Sequence, residues 1–204
     1  MKLSKLLCLA FLVVCFSSCN EYEKLMGPAL KAKMEDKNPN PVFDGEVEPA
    51  MPNPSDNDKT ILGIDTNGNG IRDDVDIWIN RTALDYNERM AMRQYARAEQ
   101  DELRVCSLDL KNEASKVVTE SMNSSYCLFA LGDYKYFRRK HESRAEKIDG
   151  LTISTSERRN CLGYYDSHSY VAGGGNANSS FDHCKFKVEN LQVLKTKFEN
   201  LEEY

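Results

Sequence analysis

The chain has 204 residues, with 27 basic and 32 acidic side chains and a formal net charge of −5. This acidic balance argues against nucleic acid or an anionic lipid surface as the main partner, because both repel a negatively charged protein. No stretch beyond the first 18 residues is apolar over the about 20 residues that a membrane-spanning helix needs.

Residues 1–18 have the pattern of an export signal. Two lysines precede an apolar run over residues 6–16, and two serines follow that run directly before Cys19. The apolar run is shorter than the about 20 residues that span a bilayer, so we expect it to direct export and to be removed. Removal takes away two lysines and no acids, which makes the mature chain more acidic.

The four residues Phe16-Ser17-Ser18-Cys19 resemble the lipobox of bacterial lipoproteins, in which a large apolar residue and two small residues precede the cysteine that carries lipid. The resemblance implies a lipid-anchored protein of the cell envelope, attached to a membrane through Cys19. In that family an Asp after the cysteine favours the inner membrane, and Asn20 here implies the outer membrane. Plain secretion after the same two serines is the alternative.

All six prolines fall between Pro28 and Pro54. We therefore predict that residues 19–60 form a polar tether that is extended or disordered. A short helix from Glu21 to Lys33 is an alternative for its first part, interrupted at Gly27. The folded domain is then expected over residues 61–204.

Residues 65–76 read Asp-Thr-Asn-Gly-Asn-Gly-Ile-Arg-Asp-Asp-Val-Asp. Oxygen-bearing side chains alternate at the start of this loop, Gly70 permits a sharp turn, and two aspartates close its far side. Calcium prefers six to eight oxygen ligands from a compact loop. The candidate ligands are Asp65, Asn67, Asn69, Ile71 through its carbonyl oxygen, Asp73 and Asp76. A polar turn without metal is the alternative, because Asn-Gly pairs also mark ordinary turns.

This loop resembles two calcium-binding families. The oxygen ligands at its first, third and fifth positions and the glycine at its sixth are similar to an EF-hand loop, although Asp76 replaces the usual glutamate at the twelfth. The ending from Ile71 to Asp76 resembles a thrombospondin type 3 repeat. A single loop followed by a helix also resembles a motif of uncharacterised exported bacterial proteins. The resemblance implies a calcium ion that joins the tether to the first helix.

The remainder favours an all-α fold, a small helical bundle, because residues 71–131 lack Gly and Pro. Apolar spacing predicts one helix from the end of the loop, a second capped by Asp85 or Asn87, and a third that includes Cys127. A capping box at Ser154–Glu157 predicts a fourth. A last helix is predicted from Cys184 to Leu201.

Four cysteines remain after the signal and Cys19 are set aside. An even number in an oxidising compartment predicts two disulfides with three possible pairings. We favour Cys106 with Cys127 and Cys161 with Cys184, because each pair closes a short loop. Buried free thiols are the alternative.

No cluster with the composition of an active site is evident in the sequence. We therefore predict a lipid-anchored calcium-binding protein with a structural or partner-binding role and with a possible protein partner in the envelope. Two alternatives stay open. One is a hydrolase whose active-site residues are dispersed along the chain, and the other is an inhibitor or immunity protein of the envelope.

Overall fold

The computed structural model describes residues 22–38, 40–133, 144–168 and 181–202. The predicted signal segment 1–18 and Cys19 lie outside the described residues. In chain order the elements are α1 (22–35), β1 (Val42–Phe43), β2 (Glu46–Val47), α2 (Pro54–Asn57), α3 (Asp73–Thr82), α4 (Tyr86–Ser107), α5 (Lys111–Leu128), a π-helical turn (Phe129–Asp133), α6 (Arg144–Thr152), α7 (Ser156–His168), a 3-10 turn (Phe181–His183) and α8 (Leu191–Glu202).

The predicted all-α bundle is confirmed. The long helix α4 packs against α5, α6 and α7, and its residues Met92 and Tyr95 share the main core with Trp78 of α3. Strands β1 and β2 form a small antiparallel hairpin in which Val42 pairs with Val47. Within the described ranges, no helix has the length and apolar character required to cross a membrane.

Asp85 caps α4 as predicted, since its side chain accepts a hydrogen bond from the backbone N–H of Glu88 at 2.9 Å. The residue that caps α7 is Thr155, one position after the predicted Ser154. Its hydroxyl oxygen accepts a hydrogen bond from the backbone N–H of Arg158 at 3.2 Å. Helix α6 was not predicted, because its nine residues include Gly150 and few apolar positions.

The prediction that the last helix begins at Cys184 is wrong. Helix α8 begins at Leu191, after Asn190 in a left-handed conformation with φ of 52°. The apolar residues Cys184 and Val188 instead pack against the main core from non-helical chain. Helical spacing continued through them by coincidence, because burial in a loop also selects apolar residues.

The prediction of a disordered tether is wrong over the described part of residues 22–60. Leu25, Met26 and Ala29 of α1 are buried in the main core, and the Trp78 indole N–H donates to the carbonyl of Leu25 at 3.1 Å. Helix α1 continues past Gly27 to residue 35. Pro28 lies within α1 and Pro54 begins α2. The apolar residues of α1 supply the burial that a disordered chain lacks.

A group of buried polar side chains, which we call the arginine cluster, fixes this segment to the bundle. Arg72 donates to both carboxylate oxygens of Asp74, at 2.6 and 3.1 Å, and to the carbonyl of Leu151 at 2.6 Å. Arg158 donates to the carbonyls of Asn57 and Ile61 at 2.7 and 2.9 Å. Backbone oxygens from distant segments are thus satisfied by two arginines, which keeps the polar groups hydrogen-bonded while buried.

The four cysteines form two disulfides, but the favoured pairing is wrong. Cys106 pairs with Cys161, and Cys127 pairs with Cys184, with Cα–Cα distances of 5.6 and 4.9 Å. Cys106 lies at the end of α4 and Cys127 near the end of α5. Those positions are separated by most of the length of α5, about 24 Å at 1.5 Å per residue, which a disulfide cannot bridge.

Candidate metal centre

A backbone hydrogen bond closes the loop over residues 65–76 near its base. The N–H of Asp73, the first residue of α3, donates to the carbonyl of Ile64 at 2.8 Å. Between these two residues the chain turns sharply at Gly68 and Gly70, which have φ of 68° and 80°. Only glycine adopts this left-handed conformation without strain, so both turns depend on those residues.

Side chains of the first half of the loop bind the backbone that follows them. The carboxylate of Asp65 accepts from the N–H groups of Asn69 and Gly70 at 3.2 and 2.9 Å. The side-chain oxygen of Asn67 also accepts from the N–H of Asn69 at 3.2 Å, and that of Asn69 accepts from the N–H of Ile71 at 2.9 Å. These contacts turn the alternate side chains of the loop inward.

The second half of the loop supplies two aspartates from the first turn of α3. Asp73 accepts from the backbone N–H and the hydroxyl of Thr66, each at 2.9 Å. Asp76 accepts from the side-chain amide of Asn69 at 3.1 Å and from Nε of Arg93 at 3.2 Å. Both carboxylates are 1% exposed, so they are removed from water although they begin a helix next to a surface loop.

The electrostatics of the loop favour an additional positive charge. Burial raises the pKa of Asp73, the charges of Asp65 and Asp76 raise it further, and the hydrogen bonds from Thr66 offset part of the rise. Burial also raises the pKa of Asp76, and the positive charge of Arg93 offsets part of this rise. Like charges brought together disfavour ionisation of both carboxyls. A bound cation removes this repulsion and holds the carboxyls ionised.

Two arginines of α4 and one acid of the hairpin stand beside the loop. Arg93 lies 3.5 Å from the carboxylate of Glu46, and Nε of Arg97 donates to the carbonyl of Asn69 at 2.9 Å. The amide of Asn69 also donates to Glu46 at 3.3 Å. These three neighbours could not be predicted from the sequence, because they are distant from the loop along the chain and no local spacing identifies them. Arg93 therefore lies within ion-pair distance of Glu46 and Asp76, whereas Arg97 contacts the backbone of the loop.

The predicted ligands lie within one loop of the chain, and the side chain of Ile71 lies in the core, 1% exposed. Asn69 directs its amide N–H, rather than its oxygen, to Asp76. Among the described residues, no group of three or more His, Cys, Asp or Glu side chains is close enough to hold a metal ion. Three of the six predicted ligands are not side chains of these four types, since two are amide oxygens and one is a backbone carbonyl oxygen. The complete donor set is oxygen, which suits a hard cation such as calcium.

No protein-family model matches the chain, and no curated protein or solved structure is detectably similar to it.

Proposed function

We propose that this protein is an exported, lipid-anchored calcium-binding protein in which one ion, held by the loop over residues 65–76, fixes the N-terminal segment to the helical bundle. The observation that carries the proposal is the placement of three aspartates in a loop whose turns are set by Gly68 and Gly70. Two of these aspartates are buried with raised pKa values, so the fold keeps them close at an electrostatic cost.

Calcium binding would remove that cost by supplying the positive charge. The ligands would be the side-chain oxygens of Asp65, Asn67, Asn69, Asp73 and Asp76 and the carbonyl oxygen of Ile71. Each carboxylate has acceptor sites beyond those used by Thr66, Arg93 and the backbone N–H groups. Three carboxylates and two amides suit a dissociation constant in the extracellular range of about 10⁻⁴ to 10⁻³ M.

Thermal unfolding with calcium and with chelator tests this proposal. At about 10 mM calcium, that affinity adds about 1.4 to 2.7 kcal/mol of stability, or roughly 3–10 °C in Tm. Asp65→Ala should abolish the difference between the two conditions. The matched control is Asp56→Ala, which removes an exposed aspartate of α2 that pairs with Lys59 and lies outside the loop. Equal melting of the unmodified chain in both conditions contradicts the proposal.

Because residues 22–35 form a helix that packs in the main core, a lipid on Cys19 would lie near the folded chain. Three peptide units separate Cys19 from Tyr22, where the described part of α1 begins, and they span at most about 11 Å. A lipid on Cys19 therefore holds the helical bundle close to the bilayer. Mass spectrometry of the mature protein tests this part: diacylglycerol and acyl mass on a chain beginning at Cys19 supports it, and an unmodified cysteine contradicts it.

A further inference from the structure

Residues 67–70 repeat the dipeptide Asn-Gly, and the sequence contains no other Asn-Gly pair. In such a pair the backbone nitrogen of the glycine can attack the side-chain amide of the asparagine, because glycine has no Cβ to hinder the approach. The attack forms a five-membered succinimide ring and releases ammonia. Water then opens the ring and leaves aspartate or isoaspartate, so the reaction requires no enzyme, oxidant or reductant.

The first pair, Asn67 and Gly68, is open to this reaction. Both residues are exposed. The side-chain nitrogen of Asn67 and the backbone N–H of Gly68 make no hydrogen bond to the described part of the chain. A Cβ on Gly68 would meet nothing within 4 Å, so the space beside this residue is open. Ring closure therefore breaks no hydrogen bond of the attacking nitrogen or of the leaving nitrogen with the described residues.

The side chain of Asn67 is also folded towards the backbone that attacks it. Its oxygen accepts a hydrogen bond from the backbone N–H of Asn69 at 3.2 Å, and an Asx-turn of this kind lays the side chain over the next residue. The same N–H stabilises the negative charge that develops on this oxygen during the attack. Asn69 forms the equivalent turn with the N–H of Ile71 at 2.9 Å. The two sites therefore differ in their nitrogen atoms rather than in this turn.

The second pair, Asn69 and Gly70, is held by hydrogen bonds at both nitrogens. The backbone N–H of Gly70 donates to the carboxylate of Asp65 at 2.9 Å. The side-chain nitrogen of Asn69 donates to Asp76 at 3.1 Å and to Glu46 at 3.3 Å. Attack by Gly70 requires loss of its proton beside a negative carboxylate, which like charge opposes. The amide of Asn69 also has to leave two carboxylates before it can depart as ammonia.

We infer that Asn67 is a site of spontaneous deamidation and that Asn69 is protected from the same reaction. The backbone nitrogen of Gly68 forms a bond to Cγ of Asn67, the bond from Cγ to Nδ2 breaks, and Nδ2 leaves as ammonia with the proton of the glycine. Water opens the ring at Cγ to give aspartate, or at the backbone carbonyl to give isoaspartate. Each product adds one negative charge to the loop.

Deamidation also changes the proposed calcium site, and this part rests on the proposed function. The aspartate product places a carboxylate at the third position of the loop, where Asn67 offers an amide oxygen. The number of charged ligands tunes calcium affinity, so this product binds the ion more tightly. The isoaspartate product adds a methylene group to the main chain, which displaces the residues that follow. That product binds calcium less tightly.

The test is incubation of the folded mature chain with chelator at mildly alkaline pH, followed by mass spectrometry of its tryptic peptides. Trypsin cleaves after Lys59 and Arg72, so one peptide carries both asparagines and its fragments assign the modified position. Asn67 should deamidate at least about 10-fold faster than Asn69, because the second site has to open three hydrogen bonds first. Equal rates, faster reaction at Asn69, or an unmodified Asn67 overturn the inference.

The same chain, reduced and unfolded in guanidinium chloride, is the matched control. Each asparagine then precedes an unrestrained glycine, so the two rates should be similar. A preference for Asn67 that persists in the unfolded chain contradicts the structural argument, because the local sequence would then be its cause. Asn67→Gln should remove the fast reaction, since the longer side chain has to close a six-membered ring. Fast deamidation of the folded variant contradicts the assignment to this residue.

Calcium titration of Asn67→Asp separates this inference from the proposed function. Binding about 3- to 10-fold tighter than that of the freshly prepared unmodified chain supports the effect on the calcium site, and unchanged affinity contradicts that effect. Deamidation at Asn67 in a chain that binds no calcium supports the modification site and contradicts the proposed function. Calcium binding by a chain whose Asn67 stays unmodified supports the proposed function and overturns the inference.

Discussion

Three aspartates in the first turn of α3 have the same burial and opposite electrostatics. Asp73, Asp74 and Asp76 are each no more than 1% exposed. Burial pushes the pKa of Asp74 upward, but Arg72 and Tyr22 hold it below its usual value. The pKa values of Asp73 and Asp76 are raised. The side chain of Asp74 binds Arg72 of the arginine cluster, whereas the side chains of Asp73 and Asp76 bind Thr66 and Asn69 of the loop.

Because these three residues are equally buried, the nature of the partner decides whether each carboxyl stays ionised. Asp74 has a guanidinium group in direct two-point contact and a hydroxyl from Tyr22 at 2.7 Å. Asp73 has a threonine and two acidic neighbours. The first arrangement is complete within the chain, and the second is the one for which we propose an external cation. Five substitutions at four places in the molecule test this distinction, with the greatest expected loss of stability first and the least last.

Arg72→Leu should produce the largest loss, because it leaves Asp74 buried without its counter-ion. Breaking a buried ion pair in this way costs about 3–5 kcal/mol. Urea unfolding measures the loss, which should be the same with calcium and with chelator. Adding Asp74→Asn to the variant should recover part of it. A loss below about 1 kcal/mol, or one that calcium reverses, contradicts the assignment of the cluster as complete without metal.

Glu99 of α4 represents a third arrangement, a buried carboxyl neutralised by a proton. Burial, together with the charges of Glu102 and Asp149, raises its pKa to about 9. Between the unfolded value of 4.5 and that folded value, the folded state keeps a proton that the unfolded state releases. Stability therefore falls as pH rises through this window, by up to about 1.4 kcal/mol per pH unit.

Glu99→Gln should flatten that dependence, since the amide does not titrate. Denaturant unfolding at pH 6, 7 and 8 measures it for both chains. Glu157→Gln is the control, because this exposed residue of α7 has a lowered pKa and no part in the buried group. Parallel pH profiles for the unmodified chain and Glu99→Gln contradict a protonated Glu99.

Gly63 packs against Arg72 of the arginine cluster, whereas Gly68 lies in the loop over residues 65–76. Both have positive φ, of 72° and 68°. A Cβ on Gly63 would lie 2.9 Å from Cγ of Arg72 and 2.7 Å from the side-chain oxygen of Asn57, whereas a Cβ on Gly68 meets nothing within 4 Å. Gly68→Ala should cost about 1–2 kcal/mol of strain, and Gly63→Ala about 1–3 kcal/mol more from overpacking. Chemical denaturation of both variants gives the difference, and equal losses contradict the close packing at Arg72.

Asp58→Asn should have the smallest effect. Asp58 pairs with Arg158 at 2.8 Å, but its side chain is 48% exposed. Arg158 keeps its contacts with Ser154 and with the carbonyl of Asn57 when this partner is removed. A half-exposed ion pair contributes at most about 1 kcal/mol. A loss comparable with that of Arg72→Leu would contradict this prediction. It would mean that the half-exposed pair of Asp58 and Arg158 stabilises the fold as much as the buried pair of Arg72 and Asp74.

Local spacing predicted the parts of the fold that depend on local interactions. The cap at Asp85, the helix α3 after the loop and the all-α class follow from contacts within a few residues. The folding of residues 22–60, the disulfide pairing and the neighbours of the loop could not be predicted in this way. They depend on contacts such as Trp78 with Leu25, 53 residues apart, and Arg72 with Leu151, 79 residues apart. The candidate ligands could be named from the sequence because they occupy one loop, and calcium binding by them stays a prediction.

Isothermal titration of the mature chain with calcium measures whether the loop over residues 65–76 binds the ion. We expect one ion per chain with a dissociation constant of about 10⁻⁴ to 10⁻³ M. Asp65→Ala should lose this binding, and Asp56→Ala should keep it. If the folded chain gives no binding heat at calcium concentrations up to 10-fold above that range, residues 65–76 are a hydrogen-bonded polar turn and the proposed function is wrong.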